Sequence, residues 1–225
     1  MDGDHPEQDD LETLLVAGQE RVEVPTELGV LPVRDVVIFP GVTVPLAIGR
    51  ERSLAALDAA GPEGFLIVAT QRDAGLDDPG LDDMYPVGCI VRIVRVIDAR
   101  QDGKQAIVVG VARTRLQTPV AYEPAMRMNI DPIVELDVDD AVRDARWQRV
   151  IQLAHEVIDL HEDYPEEWKS FVQGIPTPGL LADLVASTLP LAPDEKAVLL
   201  AEADPTRRLE RMAVHLEREV TIAET

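Results

Sequence analysis

One cysteine, Cys89, stands in the 225-residue chain, so no intramolecular disulfide can form and no cysteine-rich metal site can be built. No apolar run approaches the roughly 20 residues that cross a bilayer, and no basic stretch precedes an apolar one at the start. Neither a membrane span nor an export signal is expected. Positive charge is also scarce: 21 Lys and Arg face 42 Asp and Glu, for a formal net charge of -21. That charge divides as -8 over residues 1–28, -4 over 29–137 and -9 over 138–225, so no segment is basic. Phosphate backbones bind proteins largely by releasing counterions to Lys and Arg, and nucleic-acid binding is therefore not expected. There is no GxxxxGK[ST] loop for a nucleotide. Ser53, Ser170 and Ser187 are the only serines, and none sits in a GxSxG turn. The expectation is a soluble cytoplasmic protein, not an enzyme, with no cofactor and no metal.

Residues 1–28 open with six acidic groups in the first twelve positions and no apolar periodicity, which predicts a disordered acidic tail. Within it, Leu11 to Ala17 is apolar enough for a transient helix. From Gly29 the texture changes. VLPVRDVVIFPGVTVPLAIG is rich in β-branched residues and broken by Pro32, Pro40, Gly41 and Pro45. Pro32 and Pro45 cannot donate to a ladder and belong on edges, strand starts or bulges, while Pro40 and Gly41 make a turn. Arg50 to Ala60 has helical spacing and stops at Gly61 and Pro62. FLIVATQ reads as a buried strand, followed by a long acidic loop. Gly88–Asp98 and Lys104–Leu116 predict an antiparallel hairpin, and AMRMNID and PIVELDV one or two further strands. Many short strands with frequent turns favour a closed or nearly closed barrel over residues 29–137.

After Val138 the period switches from two to that of a helix. Ala141 to Leu160 carries an apolar stripe that fades at HEDYPEEW, where Pro165 breaks it. Pro178–Leu189, Asp194–Ala203 and Thr206–Val220 follow, each bounded by a proline. Residues 138–225 are thus expected to form a bundle of about four helices. Three features carry potential chemistry. His155, Glu156 and Asp159 resemble HExxH with aspartate in place of the second histidine, and a metal site completed by Asp163 competes with a solvated helix face. The solvated face is the stronger reading. Arg92, Arg95, Arg113 and Arg115 cluster on the hairpin, where structural ion pairs compete with a carboxylate- or phosphate-holding groove. Cys89 is a small buried hydrophobe.

Three separated motifs occur in an order that resembles the N-terminal domain of the Lon protease family. They are LPVRDVVIFPGVTVPLAIGRERSLAAL (Leu31–Leu57), DDMYPVGCIVRI (Asp82–Ile93) and the helical stretch from Gly179 to Val220 that holds DPTRRLER. The resemblance covers about residues 28–221. It implies an α+β protein: a PUA-like β-barrel of about six short strands with one inserted helix, then the helical bundle. It also implies recognition of unfolded or tagged client proteins for ATP-dependent proteolysis and a part in assembly, by either an excised domain or a stand-alone adaptor of a Lon-type protease. The family's ATPase and protease domains have no counterpart here.

The proline-broken run Phe39–Leu46 suggests where clients bind. A disrupted edge offers apolar contacts and free backbone donors to an added strand, which selects Phe39, Val42 and Pro45 with Arg50 and Arg52 at the rim. Side chains that merely fill the barrel would look the same in sequence. The rival function is structural, with the helical half docking on a protease or on copies of itself through Leu209, Met212 and Leu216.

Overall fold

A computed structural model describes residues 12–17, 20–99, 103–136, 141–161 and 164–223. The strand-rich half opens with an antiparallel hairpin of β1 (Glu12–Ala17) and β2 (Glu20–Pro25), in register from Glu12↔Pro25 to Ala17↔Glu20. This corrects the expected transient helix and much of the expected disordered tail; residues 1–11 lie outside the described residues. The physical reason is an anchor not evident from composition. Val24 is fully buried and Val22 packs beside it, against Leu28 and Met128, so burial offsets the ordering entropy.

Six further strands form one sheet in the order β4-β7-β6-β5-β3-β8, comprising β3 (Glu27–Val33), β4 (Thr43–Ile48), β5 (Phe65–Thr70), β6 (Val87–Asp98), β7 (Lys104–Arg115) and β8 (Arg127–Asn129). The helix α1 (Glu51–Ala60) is inserted between β4 and β5. All pairs are antiparallel except β3 with β5. The sheet closes on itself. Residues following β8 reach the far end of β7, where Arg115 N–H donates to Asp131 O at 2.9 Å and Ile133 N–H to Arg113 O at 3.0 Å. That circuit removes the free edges along β3, β5, β6 and β7 over most of their length. Pro45 sits on β4, the outermost strand, as its missing donor requires.

The sheet carries an apolar core on each of its two faces, because successive side chains of a strand alternate between them. Leu31, Leu66, Val91 and Val108 lie in one, under α1, and Val30, Ile67, Ile90 and Met128 in the other. At Gly110 the chain passes close to the segment before β4, and a Cβ there would lie 2.1 Å from the Phe39 carbonyl oxygen. Gly41, at φ 78°, turns the chain between Phe39 and β4.

The helical half comprises α2 (Ala141–Leu160), α3 (Glu167–Gln173), α4 (Pro178–Thr188), α5 (Pro193–Ala201) and α6 (Pro205–Ala223). Its core runs through Val150, Leu153, Leu181, Leu209 and Met212, and extends into the barrel half through Val37, Phe39 and Val87. Prolines open α4, α5 and α6 because the first turn has no use for the missing N–H. The Thr177 hydroxyl caps α4 by accepting from Leu180 N–H at 3.3 Å. The expected four helices are present, and α3 is an addition.

Candidate functional site

Between α2, α3 and α4 lies an open apolar groove of about 470 Å³. Ala154, Val157 and Ile158 line it from α2, Trp168, Phe171 and Val172 from α3, and Leu181, Leu184 and Val185 from α4. The chain has eight aromatic residues in all, and three of them, Tyr164, Trp168 and Phe171, fall within eight positions here. All three are exposed, Phe171 at 60% of its surface, with Trp168 and Tyr164 stacked at 5.2 Å between ring centroids. Large aromatic side chains left in water over a concave apolar floor are the surface signature of a binding site, since single scattered apolar groups would not converge.

The local sequence explains how α3 comes to stand open. Pro165 prevents α2 from continuing, and Trp168 N–H donates to Pro165 O at 3.0 Å to start the next turn. Two side chains one helical turn apart on α2 then hold α3 in place. His155 Nε2 lies 3.1 Å from the Lys169 carbonyl oxygen, and the Asp159 carboxylate is paired with the Lys169 ammonium. The HExxD spacing therefore serves to dock a helix. Glu156 bonds to Gln152 at 2.9 Å, and no group of three metal-ligating side chains converges among the described residues. Asp163 is outside them.

The barrel residues selected from sequence are scattered by the fold. Phe39 is fully buried in the core that joins barrel and helices, and Val42 is half-buried against the same core. Phe39 and Val42 meet the helices before the chain enters β4, a tertiary contact that periodicity does not reveal. Pro45 and Arg50 do line a common groove of about 570 Å³ between β3, β4 and α1. Arg50 is engaged there, donating to the carbonyls of Pro32 (3.4 Å) and Leu76 (3.3 Å), and burial followed by the nearby Arg34 lowers its pKa. Arg52 points to Asp78 (2.9 Å) and Glu123 on the outside of α1.

The hairpin arginines also divide. Arg113 is buried and grips Asp183 of α4 with both terminal nitrogens (2.9 and 2.5 Å), while its Nε donates to Leu200 O at 2.8 Å. Arg208 of α6 stands 3.3 Å from the same carboxylate, pairs with Glu135 and donates to Glu202 O at 2.8 Å. Burial, assisted by Arg113, pushes Arg208 down to about 8, and burial also drives the Asp183 carboxyl upward against the pull of Arg113. This cluster fastens the helices to the barrel. Arg115 pairs with Asp131 at 3.6 Å, whereas Arg92 and Arg95 are exposed and without a carboxylate partner among the described residues. Cys89 is fully buried, and burial pushes its thiol up to about 12.

Comparison with known proteins places this architecture. The family described as the ATP-dependent protease La (LON) substrate-binding domain matches residues 27–218. Lon protease of Desulfatibacillum aliphaticivorans is 32% identical over 222 residues, 97% of this chain and 27% of that protein. Lon protease of Desulfovibrio desulfuricans is 34% identical over 202 residues, 89% of this chain and 23% of that protein. The chain thus spans about a quarter of the length of these curated relatives. Among solved structures, the N-terminal domain of Mycobacterium avium complex Lon protease superposes with a TM-score of 0.70 at 26% identity, covering 85% of this chain and 98% of that one. A Lon N-terminal domain protein from Xanthomonas campestris, at 22% identity and a TM-score of 0.60, shares the fold.

Proposed function

Since this chain belongs to the family of Lon substrate-binding domains, we propose that it recognises client proteins in the groove between α2, α3 and α4, without chemistry of its own. The observation that carries this reading is the exposure of Tyr164, Trp168 and Phe171 over an apolar floor. A folded protein keeps such side chains inside, so the groove selects segments whose own apolar residues are displayed, as in unfolded chains. Covering one large apolar side chain contributes about 1.5–3 kcal/mol, so two or three anchors give useful but reversible affinity. Reversibility suits a recognition step that hands its client on. The partners implied are unfolded or tagged proteins and a Lon-type protease in the cytoplasm, whether the chain works as a part of that protease or beside it. No helix among the described residues is long and apolar enough to cross a membrane.

The barrel groove at Pro45 and Arg50 is the weaker of the two client surfaces. Arg34, Arg50 and Asp77 line it, and extended apolar segments gain less beside charged groups that must be desolvated. The test is binding of a permanently unfolded protein, reduced and alkylated lactalbumin, against native lactalbumin by fluorescence anisotropy. Preference for the unfolded form that is lost in Trp168→Ala and Phe171→Ser is the expected result. Equal binding by these variants moves recognition elsewhere.

A second reading is supported by another face of the bundle; Leu209, Met212 and Leu216, selected for it from sequence, are instead buried in the helical core. Val198 of α5 and Val214 of α6 are exposed side by side in a groove with Arg207, Glu210 and Arg211, and Ile222 is exposed further along α6. Such a surface suits self-association or docking on a protease. Concentration-dependent sedimentation that is abolished by Val214→Glu would support it. A monomer at every concentration would remove self-association.

A further inference from the structure

The helical groove carries a charge pattern as well as an apolar floor. Among the described residues that line it, Glu167 is the one charged group. Glu167 and its neighbour in sequence, Glu166, are exposed and have no cationic partner among the described residues. The other charged groups of the surrounding helices are engaged or lie elsewhere. Lys169, the one cation of α3, is paired with Asp159 of α2, and Glu156 of α2 accepts from Gln152. Further back on α2, Arg146 and Arg149 pair with Glu210 and Glu217 of α6. The one charged residue of α4, Asp183, is buried with Arg113 and Arg208. The Lys196 ammonium donates to the Ser187 carbonyl at 3.1 Å. On α6, Arg211 and His215 belong to the groove with Val198, and Arg218 is offset by Glu219 beside it. The two glutamates at the start of α3 are thus the unmatched charges of the client groove.

Local and overall charge have the same sign here. Residues 138–225 carry -9 and the whole chain -21, so both draw a cationic segment toward the groove. Both repel an acidic segment and a second copy of this chain. The stacked rings of Tyr164 and Trp168 add an independent reason, since exposed aromatic faces attract Lys and Arg. Arg72 makes such a contact on Tyr85, 5.1 Å from the ring centroid, whereas the Tyr164–Trp168 pair carries no cation among the described residues. Resting on the reading of this groove as the client site, we infer that it selects segments in which apolar anchors are interspersed with Lys or Arg. The anchors cover Phe171 and the apolar floor, and the cations meet Glu166, Glu167 and the Tyr164–Trp168 rings. Apolar burial then supplies most of the affinity, and the two glutamates determine which apolar segments are preferred.

The probes are three fluorescent dodecapeptides that share two phenylalanines and two leucines on a serine background and carry lysine, serine or glutamate at two further positions. By anisotropy with the full chain, the lysine peptide should bind about fivefold tighter than the all-serine one and the glutamate peptide weakest, with the preference fading at high salt. Glu166→Gln with Glu167→Gln should remove most of the lysine preference and leave the all-serine peptide as wild type binds it. Glu166→Lys with Glu167→Lys should weaken the lysine peptide and strengthen the glutamate peptide, opposite movements that damaged folding cannot mimic. Glu51→Gln with Asp82→Asn makes the same change in net charge as the glutamine pair, but on the barrel, and should keep the wild-type order. Three peptides bound alike, with that binding lost in Phe171→Ser, would overturn the inference and leave the groove as the client site. A lysine preference that survives Glu166→Gln with Glu167→Gln would overturn it as well, by assigning the preference to overall charge. Peptide binding unchanged in Phe171→Ser would overturn both this inference and the groove itself.

Discussion

The barrel and the helical bundle solve the same problem, burying apolar side chains, under different constraints. A strand satisfies its backbone only through its neighbours, and β3, β5 and most of β7 are paired on both sides, while β4 keeps an open outer edge. A helix satisfies its backbone internally. It can leave a face uncovered at no cost in hydrogen bonds, and α2, α3 and α4 do so at Tyr164, Trp168 and Phe171. The difference teaches where an exposed apolar surface can be kept without inviting sheet-to-sheet aggregation. The barrel's own exceptions are the outer edge of β4, interrupted by Pro45, and the free end of β6, which is short and bordered by the charges of Arg95 and Asp98.

The two halves meet at a buried ion cluster, and breaking it should have the largest effect. Asp183→Ala strands Arg113 and Arg208 without their shared carboxylate and is expected to cost about 3–5 kcal/mol, read by urea unfolding. Replacing Arg113, Asp183 and Arg208 together with apolar residues of similar size should cost far less, because burial disfavours the charged forms of Asp183 and Arg208. Gly110→Val comes next. Its side chain would enter the space of the Phe39 carbonyl, and the expected loss of about 1–3 kcal/mol should reach both halves, since Phe39 belongs to their common core.

Substitutions in the groove should separate function from stability. Trp168→Ala and Phe171→Ser are expected to weaken unfolded-protein binding by about tenfold or more; Phe171→Ser, at a side chain 60% exposed, should change stability by less than about 1 kcal/mol, and Trp168→Ala, at one 41% exposed, should cost about 1–3 kcal/mol. A large fall in stability would show instead that α3 is part of the core. Arg52→Ala, at an exposed ion pair, should move stability by less than about 0.5 kcal/mol and leave client binding unchanged.

The barrel's integrity has its own reporter in Cys89. Its thiol is raised from 9.0 to about 12 in the fold, so the folded state holds a proton that the unfolded state releases. Stability from this group is complete below pH 9 and is lost as pH rises toward 12. Cys89→Ala should flatten that part of the stability profile. Maleimide should label Cys89 in the native protein only as fast as the barrel opens.

Much of this architecture was legible from period and punctuation. Alternation marked the β6–β7 hairpin, and the prolines at 178, 193 and 205 marked the starts of three helices. The family resemblance, carried by the motifs at Leu31–Leu57 and Gly179–Val220, agrees with the match over residues 27–218. The N-terminal hairpin was hidden because acidic composition masks the two valines that anchor β2. The groove was hidden for a related reason: α3 has seven residues, too few for a period to emerge, and its Trp and Phe lie among charged neighbours. A signal did exist, in the crowding of three aromatics into an aromatic-poor chain. Phe39 could not be placed from sequence because the partner that buries it lies more than a hundred residues away, in α2 and α4.

The central claim is that clients bind the open helical groove and not the closed barrel. Hydrogen exchange of the full chain, with and without reduced and alkylated lactalbumin, tests it directly. Slowed exchange confined to α3 and the facing turns of α2 and α4 is the predicted result. Protection at β3, β4 and α1 with α3 unchanged would contradict it and return recognition to the barrel groove at Pro45 and Arg50.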